Sequence, residues 1–93
     1  MSTNLNYRIL RNAQLSHIRL SGADLFEVNF SGARLSGVEF VNAYPIDANF
    51  VGAFLYGVNF MGAKFEKADF AEVTLEHVSF GDNDLSKVKN LPA

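Results

Sequence analysis

The chain has 93 residues, near the low end of what one hydrophobic core can hold folded, so a single domain over residues 1–93 is expected. It has no cysteine and two histidines, which excludes disulfide staples, thiolate metal sites and a cysteine nucleophile, and leaves too few nitrogen ligands for a metal cage without carboxylates. The net charge of −2, with acidic and basic residues mixed along the chain, offers no basic footprint for nucleic acid and no strongly acidic surface.

The N-terminal stretch MSTNLNYRILRNAQ lacks the apolar run of a signal peptide, and nothing in the chain approaches the roughly 20 apolar residues of a membrane span. A soluble, cytoplasmic protein with no membrane partner is the expectation. Periodicity begins at Leu5. From there to Leu85 in steps of five, every position is Leu or Phe except Pro45. From Ala13 to Val78, the residue two before each centre is always Ala, Val or Ile, the mark of an internal repeat.

A helix cannot use a period of five, because at 3.6 residues per turn the apolar position rotates around the axis. A continuous strand cannot either, since five is odd and successive centres would point to opposite faces. The chain must therefore turn a corner in every pentad. With the centre at i, residues i−2 and i point inward, while i−1, i+1 and i+2 face water or form the corner. Gly22, Gly32, Gly37, Gly52, Gly57 and Gly62 fall at i+2, as do Asn12, Asn42, Asp47 and Asp82, the residue types that tolerate unusual backbone angles. Four such corners close a square coil.

Units such as SGADL (21–25), FSGARL (30–35), FMGAKF (60–65) and KADF (67–70) resemble the pentapeptide-repeat proteins, whose consensus is A(D/N)LXX, over about residues 8–88. The resemblance implies an all-β, right-handed quadrilateral β-helix solenoid of about four to five coils, 20 residues each. Folding the sequence at 20 stacks Leu15, Leu35, Leu55 and Leu75, and forms two aromatic ladders, Phe30/Phe50/Phe70 and Phe40/Phe60/Phe80. On the outside it brings Arg19 to Glu39, Asp47 to Lys67, Lys64 to Asp84, Asp69 to Lys89 and Asn29 to Asn49. Glu27 with Asp47 and Lys67 with Lys87 are like-charge neighbours in the same count.

Pro45 occupies a centre where Leu or Phe belongs and cannot donate a ladder hydrogen bond. A tolerated defect is expected there; the alternative is a bulge that turns Tyr44 and Ile46 outward. The same coil carries large apolar residues at outward positions: Val41, Tyr44, Ile46, Val51, Phe54, Tyr56 and, one corner later, Met61, with Phe26 one coil below Ile46. A girdle of this kind on so small a rod is a candidate contact surface. Flat packing along the columns, with Phe54 over Arg34 in a cation–π stack, is the other reading. No capping helix follows Leu85, so either the tail SKVKNLPA folds over the end or a second copy stacks on it, and a homodimer is expected. Met1 to Tyr7 form the looser end.

No chemistry is expected. His17 and His77 share a corner but lie three coils apart, about 14 Å at the strand spacing, too far for one metal. Glu66, Asp69, Glu72, Glu76, Asp82 and Asp84 are spread over the faces with no apolar pocket, and the packed interior leaves no cleft for a cofactor. No catalytic, metal or cofactor residue is assigned. The function expected is a non-enzymatic structural or protein-interaction module whose partner the residues do not name. The resemblance supplies an alternative, a duplex-DNA mimic that binds a type II topoisomerase such as DNA gyrase and protects bacteria from quinolones.

Overall fold

The computed structural model describes residues 3–92 and contains a parallel β-coil with no α-helix among them. Of the expected looser end, Met1 and Ser2 lie outside the described residues. Four three-residue strands, β1 (Gln14–Ser16), β2 (Arg34–Ser36), β3 (Phe54–Tyr56) and β4 (Thr74–Glu76), form one parallel sheet in that order. Each residue pairs with the one twenty ahead, as Leu15 with Leu35 and Leu35 with Leu55. Single bridges repeat the offset on three other faces, for example Asp24 with Tyr44, Asn29 with Asn49 and Arg19 with Glu39. Four pairing sites per 20 residues make the coil quadrilateral. In chain order the first face carries centres Leu5, Leu25, Pro45, Phe65 and Leu85; the second Leu10, Phe30, Phe50 and Phe70; the third Leu15, Leu35, Leu55 and Leu75; the fourth Leu20, Phe40, Phe60 and Phe80.

The corners explain the period. Every i+2 residue from Tyr7 to His77 has a positive φ, between 55° and 72°, whatever its side chain. At Gly52 the Ala53 N–H donates to the Phe50 carbonyl at 2.9 Å, and only the second central residue has positive φ, which makes the corner a type II turn. The third-face corners carry the same φ but lack that closing bond, because the chain there runs extended for three residues. Asn and Asp at i−1 have a local task. The Asn49 side-chain oxygen accepts the outward Val51 N–H at 2.8 Å, and Asn29, Asn59 and Asp69 do the same for Ser31, Met61 and Ala71.

Inside, the two aromatic ladders stack and interlock. Phe50 lies 5.2 Å from Phe30 and 4.8 Å from Phe70, near parallel to both, and meets Phe40 and Phe60 edge to face. The i−2 positions are small, Ala or Val, because these rings occupy the middle of the square. Backbone bonds then run up the ladder: Phe50 N–H donates to the Asp69 carbonyl at 2.8 Å and Asn49 N–H to the Val28 carbonyl at 2.9 Å.

Pro45 is buried among the centres, and its corner survives, with Asp47 at φ 59° and the Ala48 N–H on the Pro45 carbonyl at 3.2 Å. No bulge forms, since Asp24 still pairs with Tyr44. The cost is local: Lys64 N–H still reaches the Ala43 carbonyl, but position 45 has no N–H to return, and no bridge joins Tyr44 to Lys64.

The repeat ends differently from expectation. Gly81, not Asp82, takes the left-handed angle at φ 59°, so the corner comes one residue early. Residues 81–86 then leave the backbone ladder while staying against the coil beneath, where the Asn83 side chain donates to the Phe60 carbonyl at 2.9 Å and Leu85 packs on the core. Lys67 N–H bonds the Lys87 carbonyl where regular stacking would use Ser86. Register returns at Lys89, whose N–H reaches Ala68. A glycine adopts this angle at the least strain, so the break settles on Gly81. Beyond it, Val88 and Leu91 pack partly buried against the core, so the tail folds over the first two faces of the end.

Candidate interaction surface

The apolar outward residues do not form one patch. Phe26, Tyr44 and Ile46 sit on the first face; Phe54 and Tyr56 sit on the third, directly opposite. Val41 and Met61 flank the fourth-to-first corner, and Val51 the second-to-third. Tyr44, Phe54, Tyr56 and Met61 are exposed, whereas Phe26, Val41, Ile46 and Val51 are half-buried. The reason is geometric: residues five apart in sequence are a quarter turn apart in space.

On the third face, β3 presents Phe54 and Tyr56, 39% and 46% exposed, side by side on a regular sheet. Arg34 pairs beneath Phe54 and Glu76 above Tyr56, and the His77 ring meets Tyr56 edge-on at 5.5 Å. Below His77 the corner column runs His17, Gly37, Gly57. On the first face Tyr7 packs edge-on against Phe26 at 5.5 Å, extending that patch to the N-terminal coil.

The charge columns are stacked as expected, but most do not close. Arg19 and Glu39 meet at 3.5 Å, the one ion pair among the described residues. Asp47 with Lys67, Lys64 with Asp84 and Asp69 with Lys89 form no side-chain ion pair, although Asp69 and Lys89 do meet, in a backbone bridge. Asp69 instead accepts from the Asn90 side chain at 2.9 Å, and the Asp84 side-chain oxygen accepts the Ser86 N–H at 2.9 Å. Exposed pairs of long side chains gain at most about 1 kcal/mol and spend much of it on ordering.

Two carboxyls titrate low. The Asn90 amide first, then the Ala71 backbone N–H, and more weakly Lys89, hold the Asp69 carboxyl below its ordinary 3.8. The Ser86 side chain and backbone do the same for Asp84. A depressed folded value means the contribution is present above the unfolded value and is lost as pH falls through the folded one. Urea midpoints are therefore expected to hold steady down to the carboxyl range and then drop, with Asp69→Asn flattening part of that drop. An equal acid limb in wild type and variant would contradict this.

Sequence reasoning missed Tyr7, Ile9 and Ile18, which are exposed; Ile9 is the most so, at 78%. Ile18 occupies an inward position, and its exposure arises because no coil lies beneath it. The break in the rule that i−2 is Ala, Val or Ile, at Arg8, was the available signal. At this end Leu5, Leu10, Leu15, Ile18 and Arg8 line an open hollow of about 560 Å³.

The family model for pentapeptide repeats matches residues 10–42 and 39–76, with 8 copies. Among solved structures, the chain is similar to a pentapeptide repeat protein from the thylakoid lumen of Arabidopsis thaliana, at 26% identity and TM-score 0.78, covering 85% of this chain and 55% of that one. It is also similar to HetL, a pentapeptide repeat protein involved in heterocyst differentiation regulation from the cyanobacterium Nostoc, at 31% identity and TM-score 0.65, covering 82% of this chain and 33% of that one. The chain thus spans about half of one relative and a third of the other. A likeness to QnrB1, a plasmid-mediated fluoroquinolone resistance protein, has 24% identity and TM-score 0.34, too distant to carry an argument. No curated protein matches the chain.

Proposed function

The chain belongs to the pentapeptide-repeat family, and from that premise we propose that it is a non-enzymatic module whose rigid, flat faces bind a protein partner. The observation that carries this reading is the pair Phe54 and Tyr56. Two adjacent aromatic side chains stand exposed on a regular sheet, ringed by Arg34, Glu76 and His77. Aromatics inside a polar rim are the composition of an interface centre, and a stiff strand holds them with little ordering cost on binding. A regulatory role like that of HetL is compatible with a binding platform. The gyrase reading lacks comparable support, because a net charge of −2 spread as mixed signs does not make the continuous acidic surface of a duplex mimic.

The test is affinity capture from an extract of the source cell with wild type and Phe54→Asp. The side chains stacked above and below it, Thr74 and Arg34, are exposed, so the fold is expected to be retained at a cost of about 1 kcal/mol for placing Asp in a strand. Proteins held by wild type are expected to be lost from the variant. The same set retained by both, with the third face so altered, overturns the reading.

A further inference from the structure

We infer that molecules of this chain stack head to tail, the N-terminal coil of one seated on the C-terminal end of the next. The inference uses only the two ends and stands apart from the side-face reading.

The ends are complementary. Residues 3–22 carry Arg8, Arg11 and Arg19 and no acidic residue, whereas residues 71–92 carry Glu72, Glu76, Asp82 and Asp84 against Lys87 and Lys89. Arg8 stands at an inward position, in the column of Val28, Ala48, Ala68 and Val88, beside exposed apolar side chains. A cation at the mouth of an apolar hollow favours an occupant that is apolar inside and acidic at its rim. The C-terminal end is of that kind. Its tail covers only the first two faces, leaving Leu75, Val78 and Phe80 half-buried on the other two.

The backbone agrees in sense. β1 and β4 are the two outer strands of the sheet, and every pairing among the described residues is parallel. A copy added head to tail continues parallel pairing; a copy added head to head must reverse it and sets three arginines against three. Because the last half coil already covers the first two faces, the second copy fits after a half turn about the axis. Leu5 then lies over Leu75, Leu10 over Phe80, Leu15 over Leu85, and Asn12 over Asp82. Arg19 lies over Lys89, an unfavourable column, while Arg8 lies over Val78 and Arg11 over Gly81, so these two arginines must reach sideways to Glu76 and Asp82 for their charge to be met. The two smaller dimensions of the domain are 26 and 22 Å, so a stacked pair buries on the order of 1,000 Å² in total, the lower bound of a specific interface. Association is therefore weak, open-ended and salt-sensitive.

Sedimentation of the purified chain over a wide concentration range tests it. The mean mass of wild type is expected to rise with concentration past that of a dimer, and to fall back in high salt. Two variants at exposed positions each spoil one end: Arg8→Glu with Ile9→Asp, and Asp82→Arg with Asp84→Arg. Each alone is expected to remain a single chain, while an equal mixture forms a pair of twice that mass, because each variant keeps one sound end. Circular dichroism confirms that both are folded. Wild type that stays monomeric at every concentration overturns the inference, as does a mixture that fails to pair. So does a dimer retained by the second variant and lost in the first, which marks head-to-head contact. Phe54→Asp should stack as wild type does, so this result and the capture result fail separately.

Discussion

Phe50→Ala is expected to lower the unfolding free energy by about 3–5 kcal/mol, the range for deleting a large buried ring, read as the shift of a urea melt at unchanged slope. Phe50 is completely buried and touches four other rings, two stacked and two edge-on. Its neighbours cannot close the gap, because coil spacing is held by backbone bonds such as Phe50 N–H to Asp69 and Phe60 N–H to Ser79. The void therefore persists, and the lost ring contacts add to the lost transfer energy. Stability in a stacked coil is a sum of nearest-neighbour terms, so a weakened middle coil is expected to melt from both sides of itself. A shift below about 1 kcal/mol would mean that the interior can collapse, against the close packing described above.

Gly62→Val is expected to cost about 2–3 kcal/mol although the residue is part-exposed. Gly62 has φ 72°, and a Cβ built there runs into the Asn42 side-chain oxygen one coil below. A β-branched residue suffers twice, from its own left-handed strain and from displacing Asn42. The neighbouring corner supplies the contrast. Gly52 has the same kind of angle, φ 69°, but open space where its Cβ would stand, so Gly52→Val is expected to lose only the strain of the angle, about 1–2 kcal/mol. Adding Asn42→Ala to Gly62→Val should recover part of the loss. Equal costs at the two glycines would show that strain alone matters and the packing of the corner column does not. Asn, Asp, Glu, Lys and His occupy other corners at positive φ, so the fold imposes the angle whatever the side chain, and at Gly62 the further demand comes from Asn42 filling the space beside it.

Much of the coil was readable in advance because its rule is local. Leu or Phe at i and Ala or Val at i−2 report which side chains face inward, and Gly, Asn or Asp at i+2 report the corner; no long-range knowledge is required to see either. The corner at Gly81 escaped that reading. There the spacing pointed to Asp82, but the last coil has no coil above it to hold the regular ladder, and the lower strain of glycine decided the position. Ion pairs escaped for a related reason. Stacking at 20 brings Asp47 under Lys67 and Lys64 under Asp84, yet proximity of columns does not oblige exposed, flexible side chains to meet.

By itself the sequence determined a chain that turns a corner every five residues around a filled interior of Leu and Phe, since size, polarity and corner angle are properties of single residues repeating at five. Only the tertiary structure decided that Tyr44 and Phe54 stand on opposite faces, that Pro45 interrupts one ladder without bending the chain, and that the N-terminal hollow stays open beside Arg8. Those outcomes depend on what lies one coil above or below, and at the last coil of a stack one of those neighbours is absent.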